Sequence, residues 1–192
     1  RGYRLNRTKD VSAALLLAQR AVELNPTIAA TYHSRASVFL QASRMTRSEI
    51  LLDQAIADYE KCVSMDTNHY AYPFGLAEAK LQKAEWTSST EECESALIQL
   101  QRAETLNGSY PGIPLAMAKG YAILGKKELM LTNFAKAERL APREPSIYQT
   151  AMDCHLGRYS AALKDPKAAK ENFARWSFLS KDPLVNEYRV AM

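Results

Sequence analysis

Residues Pro111 to Pro142, PGIPLAMAKGYAILGKKELMLTNFAKAERLAP, decide the fold. The first half places Leu115, Ala118, Ala122 and Ile123 on one helical face. Gly125, followed by Lys126 and Lys127, is a stop and turn. The second half places Leu129, Leu131, Phe134, Ala137 and Leu140 at three- and four-residue steps before Pro142 ends it. Two antiparallel helices joined by a turn are expected.

The same punctuation recurs along the chain. Ala14, Ala18, Ala21 and Pro26 keep one spacing, which Ala55, Tyr59, Cys62 and Thr67 repeat, and then Ala96, Leu100, Ala103 and Gly108. The terminators Pro26, Thr67, Gly108 and Pro142 lie 41, 41 and 34 residues apart. The two longer steps add seven residues, about two turns at roughly 3.6 residues per turn. Such an addition lengthens each helix of a pair by a turn and leaves its apolar face on the same side.

Tyr121, Gly125, Phe134, Ala137 and Pro142, with small Ala118 where paired helices touch, resemble the tetratricopeptide repeat (TPR), although Met130 stands where that pattern prefers alanine. The resemblance implies an all-α, TPR-like right-handed solenoid of antiparallel helix pairs. About four to five repeats are expected, some lengthened to about 41 residues. The expected division is a single domain over 1–192, with a partial repeat at 1–26, repeats at 27–67, 68–108, 109–142 and 143–183, and a C-terminal cap at 184–192.

Local signals refine the boundaries. Residues 1–8 read as the tail of a first helix, and Thr8 or Asp10 as the cap of the next, which ends at Asn25-Pro26. Residues 28–43 form a helix with Tyr32, Ala36, Phe39 and Leu40 buried, followed by a turn over Arg44 to Arg47. Thr46 with Glu49 and Ser88 with Glu91 have capping-box spacing. A third repeat begins near His69 and Tyr70, tolerates Pro73 in its first turn and carries Phe74, Ala77 and Leu81 as its apolar row. The last repeat starts at Pro145 with Tyr148, Ala151, Met152 and His155, is loosened at Gly157 and Tyr159, and resumes at Asp165-Pro166 with Ala169, Phe173 and Trp176. Leu184, Val185 and Tyr188 would pack the terminal cap onto it.

Composition narrows the function. The chain has 192 residues, is 47% hydrophobic and carries a net charge of only +4, an alternating surface without the basic stripe of a nucleic-acid binder. Cys62, Cys93 and Cys154 lack metal-ligand spacing and are read as structural. No apolar run approaches the roughly 20 residues of a membrane span, and no signal peptide is evident. A cytoplasmic location is expected. GxGxxG, P-loop, HExxH and CxxC motifs are missing. His33, His69 and His155 lie on different repeats, which argues against a shared site, and Cys154 and His155 point about 100° apart on one helix. No catalytic, cofactor or metal site is expected, and the chain is read as not an enzyme.

The family resemblance implies a concave face that binds peptides or partner helices, lined by the first helix of each pair. Its spacing carries over to His33, Ser37 and Leu40; Phe74, Glu78 and Leu81; Leu115 and Lys119; Gln149 and Asp153. The subtype that clamps chaperone-tail carboxylates needs converging cations and amide donors. Here His33, Ser37, Gly75, Gly112 and Ala116 occupy those places, which argues against it. With Glu78 and Asp153 opposed by Lys119, nucleic acid is disfavoured as a partner.

The expectation is therefore a protein-interaction module that holds a protein, a peptide or, as a homodimer, itself. Because the chain opens at Arg1 within a helical pattern, it is read as a regulatory or assembly domain of a larger protein, for instance a bacterial transcriptional regulator. A free-standing adaptor or chaperone of a secretion or envelope machine, and a ligand- or peptide-sensing effector domain, are the alternatives.

Overall fold

Five helix ends share one signature. The backbone N–H groups of Asn25, Asp66, Asn107, Ala141 and Ser180 each donate to the carbonyl four residues earlier, on Ala21, Cys62, Ala103, Ala137 and Trp176, at 2.8–3.1 Å. Those acceptors are the closing small positions of the repeat pattern, with Trp176 in place of alanine. The first four of these helices stop two residues short of Pro26, Thr67, Gly108 and Pro142.

The computed structural model describes the backbone of residues 2–180 and of Val185, with side chains from Val11 onward. The described residues form nine α-helices: α1 Gly2–Leu24, α2 Ala29–Thr46, α3 Glu49–Met65, α4 Ala71–Thr87, α5 Thr90–Leu106, α6 Gly112–Ile123, α7 Lys127–Leu140, α8 Pro145–His155 and α9 Pro166–Leu179, with a 3-10 turn at Ala161–Leu163 before α9. Each of α2–α3, α4–α5, α6–α7 and α8–α9 packs as a pair. The chain divides into two compact units, Arg1–Asn107 and Gly108–Met192, and the boundary coincides with the expected end of the 68–108 repeat.

The long repeats lie in the first unit, and the pairs of 17–18 and 17 residues there contrast with pairs of 12 and 14 and of 11 and 14 residues in the second. Both helices of the pair absorb the extension. Equivalent landmarks recur at 41 residues: α3 and α5 start at Glu49 and Thr90 and end at Met65 and Leu106. Pro73 and Pro114 each occupy the third position of a first helix, where a missing N–H costs nothing.

The core of the first unit joins Ala36, Leu40, Leu52, Ala55, Tyr59, Leu76 and Ala79 from α2, α3 and α4. Arg35 on α2 fastens its neighbours: Nε and Nη2 donate to the two Asp58 carboxylate oxygens, both at 2.7 Å, and Nη1 donates to Gln19 Oε1 on α1 at 2.6 Å. That pairing raises the Arg35 pKa above its ordinary value. In the second unit, Ala118, Ala122, Met130, Phe134, Ala137, Ile147, Ala151, Cys154 and Leu163 form one core, and Tyr148, Met152, Trp176 and Val185 a second.

Several boundaries differ from the expected ones. The backbone of α1 continues through Thr8 and Asp10, because neither glycine nor proline interrupts the run from Gly2 to Leu24. The α2–α3 turn is Arg47-Ser48, and Thr46 remains in α2 with its hydroxyl donating to Ala42 O. The caps are one or two residues later than the capping boxes suggested: Ser48 accepts from the Leu51 N–H at 3.4 Å, and Ser89 from the Glu92 N–H at 3.2 Å. Arg47 and Ser88 close the preceding helices with φ of 55° and 54°, a left-handed geometry that sequence composition did not announce. In α7, Leu129, Leu131 and Leu140 are exposed and Met130 is fully buried. The buried row is Met130, Phe134 and Ala137, at steps of four and three, so Met130 fills the pattern's alanine position. Gly125 and Gly157, with φ of 69° and 77°, make the turns of the short pairs. Of the expected 184–192 cap, Val185 is buried and the rest lies outside the described residues.

Candidate functional site

On α2, side chains at Ser34, Ser37, Gln41 and Arg44 are exposed while Ala36, Leu40 and Ser43 are buried, so one stripe faces away from the core. This stripe runs beside α4, which packs against α2. Arg44 Nε donates to Gln82 Oε1 on α4 at 3.2 Å. Between them the Tyr59 ring, rooted in α3 and buried, brings its hydroxyl within 3.0 Å of Ser37 Oγ. Burial raises the Tyr59 phenol pKa; the Ser37 hydrogen bond opposes this, Glu78 adds to it and Arg44 counters it. Ser37, Arg44, Tyr59, Glu78 and Gln82 therefore form one polar cluster with donors, acceptors and both charges.

Of the expected site residues in this unit, Ser37 and Glu78 meet at Tyr59. His33 lies one turn before Ser37, half-buried, with its ring 5.6 Å from that of Tyr59. Phe74 is half-buried on α4. Leu40 and Leu81 are core residues, 3% and 2% exposed, and offer nothing to a partner. Their place on the expected face is corrected by helix geometry: Leu40 is one turn from Ala36 and packs inward with it. Arg44, Gln82 and the Tyr59 hydroxyl, which complete this polar cluster, were not among the expected residues. The 41-residue period could have found the frame, since Ser37 plus one period is Glu78 and Gln41 plus one period is Gln82.

In the second unit, α6 and α8 pack together and carry the other four residues. Leu115 packs against the unit's core. Lys119 Nζ lies 5.3 Å from the centre of the Tyr159 ring. Asp153 is buried and paired with Arg158 at 3.2 Å, while Gln149 is half-buried. Lys119 and Asp153 are brought near one another around Cys154, whose thiol is pushed up to about 12 by burial and by Asp153, with Lys119 opposing. Cys62 is likewise pushed up to about 12 by burial and Asp58. Both are buried free thiols, packed as small apolar groups.

His33 and His69, assigned to separate repeats, meet at Tyr72: the ring centres lie 5.5 Å and 4.6 Å from it. Among the described residues, no group of three or more His, Cys, Asp and Glu side chains is placed to hold a metal ion. No described helix is long and apolar enough to cross a membrane.

Paired helices with this closing-residue register, presenting a polar stripe from successive first helices, define the fold of tetratricopeptide-repeat proteins. Solved structures agree. TTC0263, a thermophilic TPR protein in Thermus thermophilus, is 22% identical, with 99% of this chain and 93% of that chain covered and a TM-score of 0.78. MamA is 17% identical over 98% of this chain and 96% of its own, with a TM-score of 0.63. YrrB, described as a TPR protein with an unusual peptide-binding site, is 17% identical over 99% and 88%, with a TM-score of 0.60. No protein-family model and no curated protein matches the chain.

Proposed function

We propose that this chain is a non-enzymatic protein-interaction module whose binding face is the α2–α4 stripe around Tyr59. The observation that carries the reading is that Ser37 is hydrogen-bonded to the Tyr59 hydroxyl, that the charges of Arg44 and Glu78 act on the same phenol, and that Gln82 accepts from Arg44. Arg44 suits a carboxylate of an extended peptide, Glu78 a cation, and the exposed Ser37 hydroxyl its backbone groups, while the buried Tyr59 hydroxyl and Gln82 amide hold Ser37 and Arg44 in place. YrrB, with its peptide-binding site, lends the reading support through a shared fold. The test is selection of peptides from a displayed library, followed by amide hydrogen exchange of the chain with and without the selected peptide. Protection along Ser34–Arg44 and Phe74–Gln82 is expected. Protection confined to the second unit overturns the assignment.

A role as regulatory or assembly domain of a larger polypeptide, such as a bacterial transcriptional regulator, and a cytoplasmic setting are finer parts of the same proposal. Free, buried cysteines are compatible with a reducing compartment. Fractionation of the native protein, with identification of what co-purifies, tests both.

Self-association is a second reading, favoured by α1. Leu16 and Leu17 are each 71% exposed there, and Leu24 is also exposed. The equivalent closing positions of α3 and α5 are fully covered, whereas Ala14 and Ala21 are only partly so. Light scattering over a concentration series is expected to show a dimer that Leu17→Lys abolishes; a monomer at every concentration removes this reading.

A further inference from the structure

In the α2–α3 pair, one row of α3 is covered by α2. The row runs through Ala55, Asp58 and Cys62: Arg35 of α2 holds Asp58 with two hydrogen bonds of 2.7 Å, and the Cys62 thiol donates to Ala29 O of α2 at 3.2 Å. Ala55 and Cys62 are fully buried, and so are Ala96 and Ala103, which lie one 41-residue period later on α5. The first helices carry small, fully buried residues seven apart, Ala36 and Ser43 on α2 and Ala77 and Ala84 on α4. Small residues at that spacing let two helix axes come close.

One period before α3, the same row runs down α1 as Ala14, Leu17 and Ala21, and Leu24 continues it. Steps of three, four and three residues keep the four on one face. Leu17 and Leu24 are exposed and Ala14 and Ala21 only partly covered, while Ala18 and Val22 beside them are buried. Where α3 has Asp58 to answer Arg35, α1 has Leu17, so the group that covers this row has to be apolar there. It also has to offer small residues seven apart. The row of α1 meets both demands itself, because Ala14 and Ala21 are seven apart and alternate with two leucines.

We propose that the occupant of this row is α1 of a second copy, laid antiparallel across a two-fold axis. Each copy then supplies the other with the covering helix that its row lacks among the described residues. Leu17 of one copy rests on Ala21 of the other, and Ala14 faces Leu24, so every large side chain meets a small one. The contact is isologous: the same pairs recur on both sides of the axis. A parallel alignment would instead set Leu17 on Leu17 and Ala21 on Ala21, leaving gaps between the alanines. The antiparallel sense is also that of α2 and α3, which are joined through the short turn Arg47-Ser48. This inference rests on the self-association reading and adds to it a surface, a direction and a register.

The experiment is disulfide trapping in the full chain. Leu17→Cys and Ala21→Cys are made separately, with Ser12→Cys as a control that is exposed and lies about 140° round the helix from Leu17 at roughly 100° per residue. Cys62, Cys93 and Cys154 are buried and do not compete. Light scattering first measures the reduced wild type. The Leu17→Cys and Ala21→Cys chains are then mixed in equal amounts and oxidised, and the cross-linked products are resolved by mass. The mixed disulfide is expected well above its share from random pairing, and Ser12→Cys is expected to stay uncrosslinked. An excess of the Leu17→Cys homodisulfide means parallel helices and overturns the proposal. A dimer by light scattering in which neither position cross-links also overturns it, while self-association stands on another surface. A monomer at every concentration removes both. Should either variant fail to fold, judged by urea unfolding under reducing conditions, Ala14→Cys mixed with Leu24→Cys carries the same expectation and the same contrary outcomes.

Discussion

Gly75 lies against the Tyr59 ring, where a Cβ would fall within 2.9 Å of three ring carbons. The ring cannot retreat, because Tyr59 is buried in the core of the first unit and tethered at its hydroxyl by Ser37. Gly75→Ala is therefore expected to destabilise the chain by about 1–3 kcal/mol, read from urea unfolding. Ser88 illustrates the opposite case. It holds a φ of 54° at an exposed helix end, a conformation that suits glycine better than an L residue. Ser88→Gly should stabilise by up to about 1 kcal/mol, measured in the same way. Neither position was legible in advance: the sequence marks Gly75 as small but not what presses on it, and a serine carries no sign of left-handed backbone.

At the scale of helices, the second-helix register was readable because one geometric demand recurs. A small or flat residue must sit where the pair closes, and its carbonyl accepts the capping N–H, so Ala21, Cys62, Ala103 and Ala137 announce each helix end. Where a residue's face depends on its neighbours, the reading failed. Leu129 and Leu131 were expected on the apolar row, but both are exposed, and the flexible thioether of Met130 fills the slot where the pattern prefers alanine. Ion pairs between helices were also invisible. Arg35 and Asp58 lie 23 residues apart and tie α2 to α3 with two hydrogen bonds of 2.7 Å. Asp58→Ala would leave the Arg35 charge, 17% exposed, without its partner. The expected cost is about 2–3 kcal/mol, less than for a fully buried pair, and a double-mutant cycle with Arg35→Met should recover much of it.

For the molecule as a whole, the 41-residue period does two things in the first unit. It lengthens both helices of a pair, and it keeps Ser37 in register with Glu78 and Gln41 with Gln82, so that polar groups on α2 and α4 accumulate along one stripe. Ser37 and Glu78, both expected from the first-helix spacing, lie one period apart and both act on the Tyr59 hydroxyl. Leu40 and Leu81 instead belong to the core, because each lies about one turn from a buried alanine on its own helix, Ala36 and Ala77. The central claim is that this stripe binds a peptide. Its most direct test is the Kd of a library-selected peptide for wild type and for Arg44→Glu combined with Glu78→Lys, neither of which lies in the core. A loss of at least about tenfold, near 1.4 kcal/mol, with the unfolding midpoint unchanged, is the predicted result. Equal affinity in the folded double variant would contradict the account and move the binding face elsewhere on the chain.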